Sequence, residues 1–377
     1  MRGVTVTAQN PERERRFLRR TPASAGLNRA AQFSVNSTGE FMSSIPRLFR
    51  LLFFLIVLWL LLCVPEPALA EKLQMPPGAA TTLDRIYSFD LEGAVAEAQH
   101  LEQERPGHPL GYLLEAEARW WKIWCLSAEY KYGMTVPQHR AKLPGDDRYL
   151  ELSYRALSVA EASLKEQETG EMELYAGMAQ ASVARLYGLR SENRATARAG
   201  VKAREHFLRA LRLNPDLADA DFGLGLYNYY VDTLNSFVKF LGFFMGIPGG
   251  NKREGIRELQ HAMTEGVITP DAARFYLALN LHKYDQQYEQ ALAILGPLVE
   301  RYPSNALFQL ARGDLLGKLA RKEQALECYR TALAIEINDE QCREHVHELV
   351  RASLAGQGVP SASPILPAAT LTFVRLQ

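Results

Sequence analysis

A single spacing constrains this chain more than any other feature. "AVAEAQHLEQERP" from Ala94, "AREHFLRALRLNP" from Ala203 and "ALAILGPLVERYP" from Ala291 share one frame. Each opens on Ala, carries apolar residues four and seven positions later, and reaches Pro at the twelfth, at Pro106, Pro215 and Pro303. "ALECYRTALAIEI" repeats the frame from Ala325, with Tyr329 and Ala332 at the apolar positions and Ile337 in the place of proline. Residues four and seven apart share one face of a helix. Each segment therefore predicts an amphipathic helix that buries a small residue beside larger ones, and proline ends it and turns the chain. Ala291 and Ala325 stand 34 residues apart. A unit of that length cannot bury its own apolar face, so it stacks on its neighbours.

The frame resembles the second helix of the tetratricopeptide repeat, whose pattern runs W-x2-L-G-x2-Y, then A-x3-F, A and P. Leu224-Gly225 in "DFGLGLYNYY" and Gly313 stand at the corresponding first-helix positions. The likeness covers most of residues 79–350 and implies an all-α fold. That fold is a right-handed superhelical α-solenoid of five or six helix pairs, some irregular, over residues 71–355. Within this frame "GHPLGYLLEAEARWWKIWCLSAEYKYG" reads as one long first helix. A polar connector, "MTVPQHRAKLPGDDR", follows, and a second helix begins at Tyr149. "NDEQCREHVHELVRASLAG" reads as a terminal capping helix facing water. The tail, 356–377, is rich in Pro, Ser and Ala and is expected to be loosely ordered.

Ahead of the repeats lies a segment with the composition of an export signal. Arg47 and Arg50 precede an apolar run from Leu51 to Val64, and Ala68-Leu69-Ala70 follows. Positive, apolar and small-x-small regions in this order predict a signal peptide over 42–70. Cys63 makes a weaker lipoprotein signal, because Leu62 stands where a small residue is wanted. The run is short for a spanning helix; retained, residues 51–64 would instead anchor the protein in the inner membrane. Residues 1–41 are polar, Arg-rich and unpatterned, which makes Met42 the expected start. With its signal, the chain resembles exported bacterial tetratricopeptide proteins, and sequencing of the exported protein should begin at Glu71; full-length protein beginning at Met1 in the cytosol would overturn this.

Charge and chemistry exclude other classes. Residues 1–50 hold nine Arg and three Glu, leaving 34 basic and 40 acidic residues in the remainder. A mildly acidic body does not suit nucleic-acid binding, which needs a basic face. Downstream of the signal stand Cys125, Cys328 and Cys342, an odd number with no CxxC pair. Buried free thiols on helices are expected, with a Cys328–Cys342 disulfide as the alternative. "GIPGGNKR" lacks the Gly-Lys-Ser/Thr of a phosphate loop, and neither GxSxG nor HExxH occurs. His345 and His347, like Glu115 and Glu117, are two apart and point in different directions on a helix. Trp120, Trp121 and Trp124 suit core packing better than a sugar platform. No catalytic site, metal or cofactor is expected, and the chain is read as a non-enzymatic scaffold.

A binding surface remains. The resemblance implies a concave groove lined by first helices, placing Asp219, Phe222, Leu226, Tyr229 and Tyr230 from one repeat beside Tyr276, Asn280, Lys283 and Tyr284 from the next. Aromatic groups there suit an apolar or amphipathic segment of a protein or peptide partner. Between the two helices of one repeat lies an apolar insert, 237–247, with Phe237, Phe240, Leu241 and Phe244 spaced for one helical face. It is expected to pack as a short helix on its own solenoid, with partner docking or peripheral membrane contact as alternatives. The second function reading is a membrane-attached lipid or lipoprotein handler that uses this insert. The segment is also similar to a signature of a eukaryotic tetratricopeptide family linked to inclusion clearance and lipid biology. There a charged turn follows the apolar helix; here the turn reads "NKREG", and the likeness is confined to this repeat.

Overall fold

The computed structural model describes residues 72–234 and 247–358. The signal, the insert residues Phe237, Phe240, Leu241 and Phe244, and nearly all of the tail lie outside the described residues. The described chain is predominantly helical. Its helices are α1 (Ala79–Tyr87), α2 (Leu91–Glu104), α3 (Pro109–Ser127), α4 (Asp146–Glu166), α5 (Gly170–Leu189), α6 (Asn193–Leu213) and α7 (Asp219–Thr233). They continue as α8 (Lys252–Glu265), α9 (Pro270–Asn280), α10 (Tyr288–Arg301), α11 (Ala306–Lys318), α12 (Lys322–Ala334) and α13 (Glu340–Gly356). Each helix packs on the next in sequence, giving six consecutive helical hairpins and a final helix among the described residues. This architecture is consistent with an α-solenoid.

The local chemistry of these elements is that of the spacing. Ala94, Ala203, Ala291 and Ala325 are buried, as are the residues four and seven positions after each. Helices α2, α6 and α10 stop at Glu104, Leu213 and Arg301, each two residues short of proline, because the residue before proline is pushed out of helical conformation. Side chains cap the starts of α2, α5, α8 and α13: Asp90 accepts from Gly93 N, Thr169 from Met172 N, Asn251 from Glu254 N and Asp339 from Cys342 N. Each satisfies a donor that the first helical turn leaves unpaired. Glu254, in the first turn of α8, pairs with Arg257.

Large residues at the plus-four position seat against glycines of the first helices. Phe207 lies between Gly177 of α5 and Gly223 of α7, and a Cβ added at either glycine would meet its ring. Tyr329 faces Gly313 in the same way. A pair of identical substitutions should therefore have opposite signs. Gly200→Ala in α6, where a Cβ meets nothing within 4 Å, should stabilise by ~0.5–1 kcal/mol through helix propensity. Gly223→Ala should cost ~1–3 kcal/mol by overpacking Phe207. Denaturant melts of the two variants decide it; a gain at Gly223 would show that Phe207 is not clamped there.

Three expectations are corrected. The long first helix ends at Ser127, where a β-hairpin begins: β1 (Ala128–Lys131) pairs antiparallel with β2 (Met134–Pro137). Tyr132 and Gly133 make its two-residue turn, both with positive φ (56° and 77°), as the twist of a tight hairpin requires. The following helix starts at Asp146 rather than Tyr149. The terminal helix α13 turns one side to water, with Glu340, Glu344, Glu348 and Arg351 exposed, and buries the other. It packs on α3, α11, α12 and the hairpin, and Cys342 is joined to Cys125 of α3 by a disulfide with a Cα separation of 6.0 Å. Cys328 is the thiol left free and buried. The pairing follows from position: chain closure brings α13 against α3, a contact no local spacing announces.

Candidate functional site

The inner faces of the first helices meet one another. Trp121 of α3 packs against Tyr87 of α1, Phe275 of α9 and Phe308 of α11, with ring centroids 5.9, 5.0 and 5.5 Å away. Asn305 Nδ2 donates to the Tyr87 carbonyl at 2.9 Å, so the start of α11 is tied to the end of α1. Trp120 Nε1 donates to Tyr276 Oη at 3.0 Å. Arg185 of α5 stacks over the Trp120 ring at 4.2 Å and donates to Glu117 at 2.6 Å. Burial disfavours the Arg185 charge, but Glu117, Tyr149 and Tyr276 together outweigh it and keep the guanidinium protonated. This arrangement is an aromatic core in which the Arg185 and Glu117 charges are paired.

The groove residues consequently divide into two sets. Asp219 is buried and accepts from the backbone N–H groups of Val267, Ile268 and Thr269, at 2.8–3.0 Å, pinning the loop that enters α9. Tyr229, Tyr276 and Asn280 are also buried. The Tyr229 hydroxyl lies 2.6 Å from Asp285 Oδ2 and 3.1 Å from the Asn280 carbonyl. Lys252 of α8 pairs with the other Asp285 oxygen. Burial, and then Asp285, pushes the Tyr229 phenol above its ordinary range, so it stays a hydrogen-bond donor. These groups hold α7, α8 and α9 together and present nothing to a partner.

The second set reaches the surface. Phe222, Leu226 and Tyr230 stand at four-residue intervals on α7, and Leu234 continues the stripe just past its end. Phe222 and Leu226 are half-buried, while Tyr230 and Leu234 are 37% and 43% exposed. Tyr284, 41% exposed, sits in the π-helical turn Leu281–Asp285 that prolongs α9. Its ring lies 6.2 Å from that of Tyr230, with Lys283 Nζ 5.1 Å from its centroid. Phe222 meets the Tyr276 ring at 5.9 Å. The result is an apolar strip along α7 that meets Tyr284 and is edged by a cation. Leu234 escapes the repeat frame, and only its four-residue spacing from Tyr230 could have flagged it.

Residues weighed for other chemistry are structurally engaged. Glu115 is fully buried between Arg119 and Arg148. His345 Nε2 lies 2.8 Å from the Ala128 carbonyl, tying α13 to the hairpin. Among the described residues no group of three or more His, Cys, Asp or Glu is placed to hold a metal ion. No helix there is long and apolar enough to cross a membrane. No family model and no curated protein matches the chain.

Proposed function

We propose that this protein is an exported, non-enzymatic scaffold of the cell envelope, a tetratricopeptide-like right-handed superhelix that holds protein or peptide partners. The observation that carries the reading is the strip of Phe222, Leu226, Tyr230, Leu234 and Tyr284, in which three exposed apolar residues stand together, whereas the other exposed large apolar residues, Tyr132, Tyr154 and Leu213, lie on three separate elements. Tyr side chains give large contact area at modest entropic cost, and they dominate binding hot spots. An amphipathic helix or extended apolar segment fits such a strip, with an acidic residue near Lys283. Export is supported by the Cys125–Cys342 disulfide, since such bonds persist in oxidising compartments.

The test is capture from an envelope extract with the tagged full-length chain and with the Tyr230→Ala/Tyr284→Ala pair. Loss of two hot-spot tyrosines is expected to weaken capture about tenfold or more while the melting temperature moves by only a few degrees. Equal capture by both chains would sink the reading. Binding to liposomes in flotation, lost in the same variant, would replace it with lipid or lipoprotein handling at a membrane surface.

A further inference from the structure

Helix α11 carries two polar side chains without a partner. Gln309 is 7% exposed, and Arg312, one turn further on, is half-buried. Neither side chain makes a hydrogen bond or ion pair among the described residues, so the donors of both are left for a ligand. Both line a cleft of about 430 Å³ between α10 and α12, within the size range of small-molecule sites. Leu292 and Leu316 give the cleft apolar walls. Gly296 leaves room on the α10 side, since a Cβ there would meet nothing within 4 Å. Cys328 also lines the cleft, beside Arg312 among the lining residues; burial raises its thiol and Arg312 opposes that rise. Other charges at the rim are engaged: Arg321 with Glu289 at 2.6 Å, and Glu327 with Arg330 at 3.6 Å.

We propose that this cleft binds a small amphipathic carboxylate, a function separate from partner capture on α7. Arg312 takes the carboxylate through its planar fork of donors. The Gln309 carboxamide donates to the same group, and the apolar chain lies along Leu292 and Leu316 over Gly296. One guanidinium and one amide match a singly charged planar anion. A phosphate would bring more charge than one guanidinium and one amide neutralise.

The probe is octanoate, titrated into the full-length oxidised protein while alkylation of Cys328 by iodoacetamide is followed by peptide mass spectrometry. Octanoate is expected to protect Cys328 saturably, and octanol about tenfold less well because it lacks the charge. Arg312→Gln should weaken octanoate protection by at least about tenfold. Gly296→Leu fills the cleft from a position with free space, and it should abolish protection without lowering the melting temperature. Absence of saturable protection, equal protection by octanol, or octanoate protection that survives either variant would each overturn the proposal.

Discussion

Replacing Cys125 and Cys342 together by alanine is expected to destabilise the protein by about 5 kcal/mol, as a chain-entropy upper value. The bond closes a sequence separation of 217 residues, so breaking it frees most of the described chain in the unfolded ensemble. It also removes the covalent tie between α13 and α3. Hydrogen exchange should rise first in α13 and the hairpin, whose contacts with α3 and α11 close the array, and only later in α5 and α6. Melting of the double variant, compared with the parent in oxidising and reducing buffer, checks the magnitude. A parent whose melting is unmoved by reductant would contradict it.

The second large effect belongs to Asp314. Its buried carboxylate accepts from Thr135 N of β2 at 2.6 Å, from Tyr329 Oη of α12 at 2.9 Å and from Ser353 Oγ of α13 at 3.0 Å. Three elements distant in sequence are thus joined at one side chain. Asp314→Ala leaves three donors unpaired in the interior and should cost ~3–5 kcal/mol. The pH dependence has a definite sign. Burial raises the carboxyl from its ordinary 3.8 to about 6, against the pull of its three hydrogen bonds. A folded-state pKa above the unfolded one means that the folded protein holds the proton more tightly. The associated stability is present below about pH 4 and is lost as pH rises through about 6. Asp314→Asn should flatten stability between pH 4 and 7 and cost less than Asp314→Ala at neutral pH, because no charge is then desolvated. Urea melts across that range decide it; an unchanged pH slope in the Asn variant would show that Asp314 does not titrate there.

The candidate surface was only half legible in the sequence. The repeat frame brought α7 and α9 residues to the same neighbourhood, and the structure places them there. Yet it could not separate Tyr229 from Tyr230, neighbours of identical chemistry. Tyr229 is turned to Asp285 and the Asn280 carbonyl within the protein, while Tyr230 stays partly in water. Nor did it show that α1, α3, α9 and α11 meet through their aromatic side chains. The three tryptophans of α3 were recognisable as core, but their partners Phe275 and Phe308 lie more than 150 residues further along. The hairpin was missed for a local reason: its turn holds Tyr132 at positive φ, where Asn or Gly is the usual signal.

By itself, the sequence determined where the repeat helices run, where proline stops them and which face each one buries. Those properties depend on residues within four to twelve positions of one another, and the buried Ala94, Ala203, Ala291 and Ala325 faces follow from them. Only the tertiary structure decided that α13 returns to α3, that Cys125 pairs with Cys342 rather than Cys328, and which tyrosines remain at the surface. Each of these depends on the angles at which successive hairpins pack. Small differences add along the array, so no single stretch of sequence contains the contact that results.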